Sequence, residues 1–155
     1  MSQPTLKSFN RKLFLLGVFK IPMLWYVRPK LLELNEERVV AKIRLRRRTK
    51  NHLNSMYFGA LAVGADVAAG IFAFYFADLL GKKVSFAFKG INGEFIKRAE
   101  TDITFICDQG ELVKKAMDKS KETGERVNEM VKVIAYNTSK EPVAEFDMIV
   151  SVKVK

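Results

Sequence analysis

The stretch MYFGALAVGADVAAGIFAFYFADLL, Met56 to Leu80, limits the fold more than any other part of this chain. Its only charged residues are Asp66 and Asp78. A bilayer crossing needs about 20 apolar residues, so length alone admits a transmembrane helix. Asp66 lies near the centre, where a carboxylate costs roughly 3 kcal/mol on insertion scales. The run is also alone of its kind, and the segments around it alternate polar and apolar residues. It reads as a helix of a soluble domain, buried on almost all sides. An unpartnered buried carboxylate is costly, so Asp66 needs a reason to be there.

The flanking segments read mostly as strands. Arg38 to Arg48 alternates, with Val39, Ala41, Ile43 and Leu45 on one face and Lys42, Arg44 and Arg46 on the other. Lys30 to Leu34 and the turn-like Asn35-Glu36-Glu37 make a hairpin with it. After the long helix, Lys83 to Lys89 alternates again, and Asn92-Gly93 signals a tight hairpin turn before a strand over Glu94 to Cys107. Gln109 to Lys121 has helical composition and reads as a short exposed helix, punctuated by Gly124. Val127 to Tyr136 and Val143 to Lys155 complete the strands. Near the start, Leu6 to Lys20 reads as an amphipathic helix ended by Pro22. The apolar run Leu13 to Val27 has a basic start like a signal peptide, but Lys20 and Pro22 interrupt it and no cleavage pattern follows. With no βαβ alternation, the expected class is α+β: one antiparallel sheet curled around one buried helix. Residues 1–24 are expected as a helical segment and 25–155 as the domain.

Composition narrows the chemistry. The chain of 155 residues fits one domain, and 48% hydrophobic residues with 12 Phe exclude a disordered chain. One Cys excludes an internal disulfide, and one Cys with one His makes a zinc site a poor reading. Nucleophilic systems that depend on histidine would have to use His52. Chemistry therefore falls to carboxylates, amides and backbone dipoles. No cofactor and no metal is expected.

The segment Asn51 to Asp66, NHLNSMYFGALAVGAD, resembles the signature of hot-dog acyl-CoA thioesterases of the phenylacetate-pathway type. In those enzymes an Asn precedes a loop ending in His-Gly-Gly, and an acid follows on the central helix. Laid without gaps, that Asn falls on Asn51, the second Gly on Gly59 and the acid on Asp66. Tyr57 and Phe58 stand where the family has His and the first Gly. The resemblance implies a hot-dog fold and thioester hydrolysis, in a divergent subfamily. It also implies a dimer or higher homo-oligomer in which Asp66 of one subunit faces Asn51 of the other. Asp66 would be general base or nucleophile. Asn51 would orient the water or the carbonyl. Phe58 and Gly59 amides at the helix start would hold the oxyanion, with Tyr57 and His52 beside the substrate. Each has a plainer reading: a structural acid at Asp66, a loop cap at Asn51, a surface His52, a packing Tyr57. Cys107 reads as a small buried hydrophobe.

The net charge of +10 points to anionic partners. Lys42, Arg44, Arg46, Arg48 and Lys50 are expected along the outer face of one strand. Arg48, Lys50 and Arg98 are the candidates for coenzyme A phosphates. Nucleic acid is disfavoured, since no stacking-aromatic motif accompanies the basic residues. Peripheral membrane contact through the N-terminal helix and the basic face is an alternative, as is an acyl-binding protein without catalysis. A dehydratase is weaker, because it would need His52 beside an acid. A cytoplasmic location is expected.

Overall fold

The computed structural model describes residues 4–155. Residues 1–3 of the expected N-terminal segment lie outside the described residues. The elements in chain order are α1 (Leu6–Phe19), α2 (Pro22–Val27), β1 (Lys30–Leu34), β2 (Val39–Ile43), α3 (Phe58–Leu80), β3 (Val84–Phe95), β4 (Ile103–Cys107), α4 (Gly110–Thr123), β5 (Val127–Tyr136) and β6 (Pro142–Val154). The strands form one sheet in the order β1-β2-β4-β5-β6-β3. Every pair is antiparallel.

The alternating residues explain where the sheet's apolar face points. Ala144, Phe146, Met148, Val150, Val152 and Val154 of β6 are buried, as are Ile103, Phe105 and Cys107 of β4 and Val39, Ala41 and Ile43 of β2. This face wraps α3, whose small and apolar residues let it sit close. A Cβ at Gly64 would fall inside the ring of Phe105. By length and composition α3 could cross a membrane, yet most of it is buried inside the fold. It ends at Gly81, which takes the left-handed conformation, φ 63°.

Five details differ from the sequence reading. Pro22 does not merely end the first helix; it takes the first position of a second one, where a missing N–H costs nothing. Strand β2 stops at Ile43, because two side chains, Asp102 and Thr49, capture the backbone beyond it. The Leu45 N–H donates to Asp102 at 2.8 Å. Thr49 Oγ1 accepts from the Arg46 N–H at 3.0 Å and donates to the Arg44 carbonyl at 2.8 Å. Arg44 thus lies just past the strand's end, and Arg46 and Arg48 sit on the turn that follows, not along a strand. Asn92-Gly93 makes no hairpin: β3 runs straight through it, paired with Asp147 and Phe146 of the long β6. Strand β4 is confined to Ile103–Cys107. Helix α4 is not simply exposed but buries Val113, Ala116, Met117 and Ser120.

Helices α1 and α2 join the same core through Phe9, Leu13 and Leu24. Asn10 fastens α1 to the edge strand β1: its Nδ2 donates to the Leu31 carbonyl at 2.9 Å and its Oδ1 accepts from the Leu31 N–H at 2.8 Å.

Candidate active site

The loop before α3 is organised by Asn51. Its Oδ1 accepts from the Leu53 N–H at 2.9 Å, the Ser55 N–H at 3.2 Å and Ser55 Oγ at 3.1 Å. That is the loop-capping use of an Asx side chain, and among the described residues its Nδ2 makes no hydrogen bond. Met56 then enters a short bridge with Lys50 and donates to the Ala99 carbonyl at 2.7 Å. Tyr57 donates its N–H to the Thr49 carbonyl at 2.8 Å. These bonds fix the position at which α3 begins.

The start of α3 is open. No side chain caps it, and no acid lies in its first turn. The Tyr57 carbonyl already accepts from Ala60 and Leu61. The Phe58 and Gly59 N–H groups make no hydrogen bond among the described residues, as expected of first-turn amides. Around them stand exposed rings: Phe58, 60% exposed, lies 4.7 Å from the Tyr57 ring and 6.5 Å from that of Phe95 between centroids. Phe95 and the neighbouring exposed Ile96 were not foreseen from the sequence. The signal was there, in apolar residues that continue on β3 where its burial fades.

Asp66 is half-buried, and among the described residues it has no hydrogen bond and no ion pair. Burial pushes its carboxyl up to about 6 from the ordinary 3.8. It lies seven residues after Gly59, two helical turns along, so both occupy nearly the same stripe of α3. The axial separation is about 10 Å. An attacking atom and an oxyanion donor each sit about 3 Å from the carbonyl atom they act on. Along the backbone of one subunit the two groups are two turns apart.

The other candidates scatter. His52 is exposed at the loop turn. Lys50 and Arg98 are exposed on either side of the Met56–Ala99 hydrogen bond, close to the start of α3. Arg48 turns away from them. Its guanidinium lies over Trp25 at 5.2 Å and Tyr26 at 5.4 Å, at the wall of a cavity of about 550 Å³ also lined by Lys42 and Arg44. Cys107 is buried, and burial pushes its thiol up to about 11, which suits an inert packing residue.

Three solved structures share this fold. A protein from Chlorobaculum tepidum superposes with a TM-score of 0.83 at 14% identity, over 97% of this chain and 98% of its own. A thioesterase from Pseudomonas aeruginosa gives 0.74 at 13%, over 99% and 97%. A thioesterase from Haemophilus influenzae gives 0.70 at 11%, over 99% and 93%. The fold is the hot-dog fold that the segment Asn51 to Asp66 led one to expect. Among curated proteins, none matches the sequence. The family model for the domain of unknown function DUF4442 matches residues 10–152, and the chain belongs to that family.

Proposed function

We propose that this chain is an acyl-CoA thioesterase whose active sites form between two copies. The observation that carries the reading is Asp66, an unpaired carboxylate held near pKa 6 on the stripe of α3 that begins with free amides. Ionised, Asp66 takes a proton from water as the oxygen attacks the thioester carbonyl carbon, or attacks that carbon itself. The carbonyl oxygen gains charge and is met by the Phe58 and Gly59 N–H groups of the other subunit, aided by the helix dipole. The C–S bond then breaks and the thiolate leaves; where Asp66 itself attacked, water then hydrolyses the acyl-aspartyl anhydride and frees the carboxylate. Asn51 Nδ2 contacts the carbonyl oxygen or the water. Tyr57 and Phe58 offer ring faces to the acyl group, and Lys50 and Arg98 meet the carrier's phosphates. His52 borders the entrance. Two of the structural neighbours are thioesterases, which supports the reading.

A panel of acyl-CoA thioesters with detection of released thiol tests it. Asp66→Asn should lower turnover by about 10²–10⁴-fold, the usual worth of a positioned base. Equal rates for both proteins would sink the assigned role.

The second reading is an acyl-binding protein without catalysis. It is favoured by one feature, the Phe58 ring standing over the helix start where the related enzymes have Gly. Measurable acyl-CoA binding by the wild type with no turnover across the panel would select it.

A further inference from the structure

The N-terminal face has a chemistry that hydrolysis leaves unused. No Asp or Glu occurs before Glu33, whereas Lys7, Arg11, Lys12, Lys20, Arg28 and Lys30 all do. Helix α1 buries Phe9, Leu13 and Gly17. Its opposite side, by helical spacing, carries Phe14, Leu15 and Val18 with Lys7 and Arg11 among them. Next come Phe19, 74% exposed, and Met23, 62% exposed. Trp25 and Tyr26 on α2 are exposed too. Single exposed apolar residues are ordinary, but a continuous cluster marks a contact surface.

This apolar surface runs directly into a cationic one. Val18, Pro22 and Trp25 share a groove of about 150 Å³. The Arg28 and Arg48 guanidinium groups each lie 5.2 Å from the Trp25 ring centre. Tyr26, beneath Arg48, is also a wall of the 550 Å³ cavity, whose lining includes Lys30, Lys42, Arg44 and the run Arg46 to Arg48. Of the cations lining it, Lys42 alone has an ion pair among the described residues, with Asp102 at 3.6 Å. Aromatic rings with apolar neighbours on one side and unpaired arginines on the other match the layering of a lipid interface.

We propose that α1, α2 and the Arg44–Arg48 segment form a docking face for an anionic lipid bilayer. The apolar side chains enter the boundary between headgroups and acyl chains, and a lipid phosphate occupies the basic cavity. Charge decides between occupants. A second copy on this face would set the Arg44–Arg48 segment against itself in a two-fold contact. A soluble phosphorylated ligand accounts for the cavity but not for Phe14, Phe19 and Met23. The face adjoins β1, at the opposite sheet edge from β3, so the proposal stands whether or not the thioesterase reading does.

Trp25 is the only tryptophan and reports on the face directly. With the full chain, vesicles of phosphatidylcholine plus phosphatidylglycerol should co-sediment the protein and shift Trp25 emission to the blue. Sodium chloride should weaken this, and phosphatidylcholine alone should do neither. Replacing Arg44, Arg46 and Arg47 together by Gln should lower partition by about 100-fold, near the surface value of three cations. Replacing Phe14, Phe19 and Met23 together by Ser should leave salt-sensitive adsorption but abolish the blue shift. Wild-type protein that ignores anionic vesicles, or binds both vesicle types equally, overturns the proposal. So does self-association that the Ser variant abolishes. Saturable binding of inorganic pyrophosphate without vesicle binding overturns it as well. The same holds for an Arg variant with a raised KM for soluble acyl-CoA and unchanged vesicle partition.

Discussion

Asp66 couples function to stability at one carboxyl group. This group titrates near 6 in the folded chain and near 3.8 when exposed. The folded state therefore holds the proton over a pH range in which the unfolded state has released it. Stability is greatest below the unfolded pKa and falls as pH rises towards 6. The difference is worth about 2–3 kcal/mol above that pH, since a tenfold change in proton affinity corresponds to about 1.4 kcal/mol. Asp66→Asn abolishes this titration. Denaturant melts should show the variant gaining on the wild type between about pH 4 and 6.5, by up to this amount, with no further gain above. Activity must run the other way. A base works only when ionised, so kcat/KM of the wild type should rise through pH 6 and level off. A flat stability difference across this range would mean that Asp66 has a normal carboxylate environment in solution.

At the scale of elements, α3 is a helix that two glycines allow to sit against the sheet, and they differ in what surrounds them. At Gly64 a methyl group would strike the fully buried ring of Phe105, which has nowhere to move. At Gly70 it would come 3.1 Å from Cζ of the half-buried Phe86. Alanine gains about 1 kcal/mol of helix propensity at either position. Gly64→Ala should nevertheless lose about 1–2 kcal/mol net from overpacking, while Gly70→Ala should be neutral or stabilising. Thermal melts of the two variants separate these outcomes. The same contrast between local pattern and surroundings shows what could be read from the sequence. Alternation in β6 and the apolar length of α3 made the sheet and its core helix legible, because burial writes itself into the pattern. Asn92-Gly93 misled because β6 supplies partners on both sides of it, and tertiary pairing outweighs a turn preference. Arg38 to Arg48 misled because Thr49 and Asp102, far apart in sequence, end β2 together. Asp66 stood out as a charge in an apolar run. The loop cap at Asn51 was legible as the ordinary use of an Asn before a helix, and its Oδ1 does accept from Leu53 and Ser55; which partners it takes leaves no mark on spacing.

Among the described residues, the whole sheet has one long edge without a partner. Strand β3 pairs only with β6, and its outer side carries exposed Ile91 and Phe95. Such an edge invites pairing with a copy of itself, and two-fold pairing closes the sheet to further growth. The separation of Asp66 from Gly59 along α3 gives this pairing a catalytic meaning. If each active site takes its carboxylate from one subunit and its amides from the other, two inactive variants can repair each other. Phe58→Pro deletes one oxyanion donor at little cost to folding. Proline suits the first helical position, and Tyr57 before it has the extended ψ of 137° that precedes proline. Asp66→Asn deletes the carboxylate. Each variant alone should be nearly inactive. Unfolding and refolding them as an equal mixture makes about half of the dimers mixed, and each mixed dimer holds one complete site of two. Thiol release should then return to about a quarter of the wild-type rate. If carboxylate and amides worked within one subunit, every site in the mixture would lack one of them, and no rate would return. Recovery on mixing thus tests the shared site with any acyl thioester that the wild type hydrolyses.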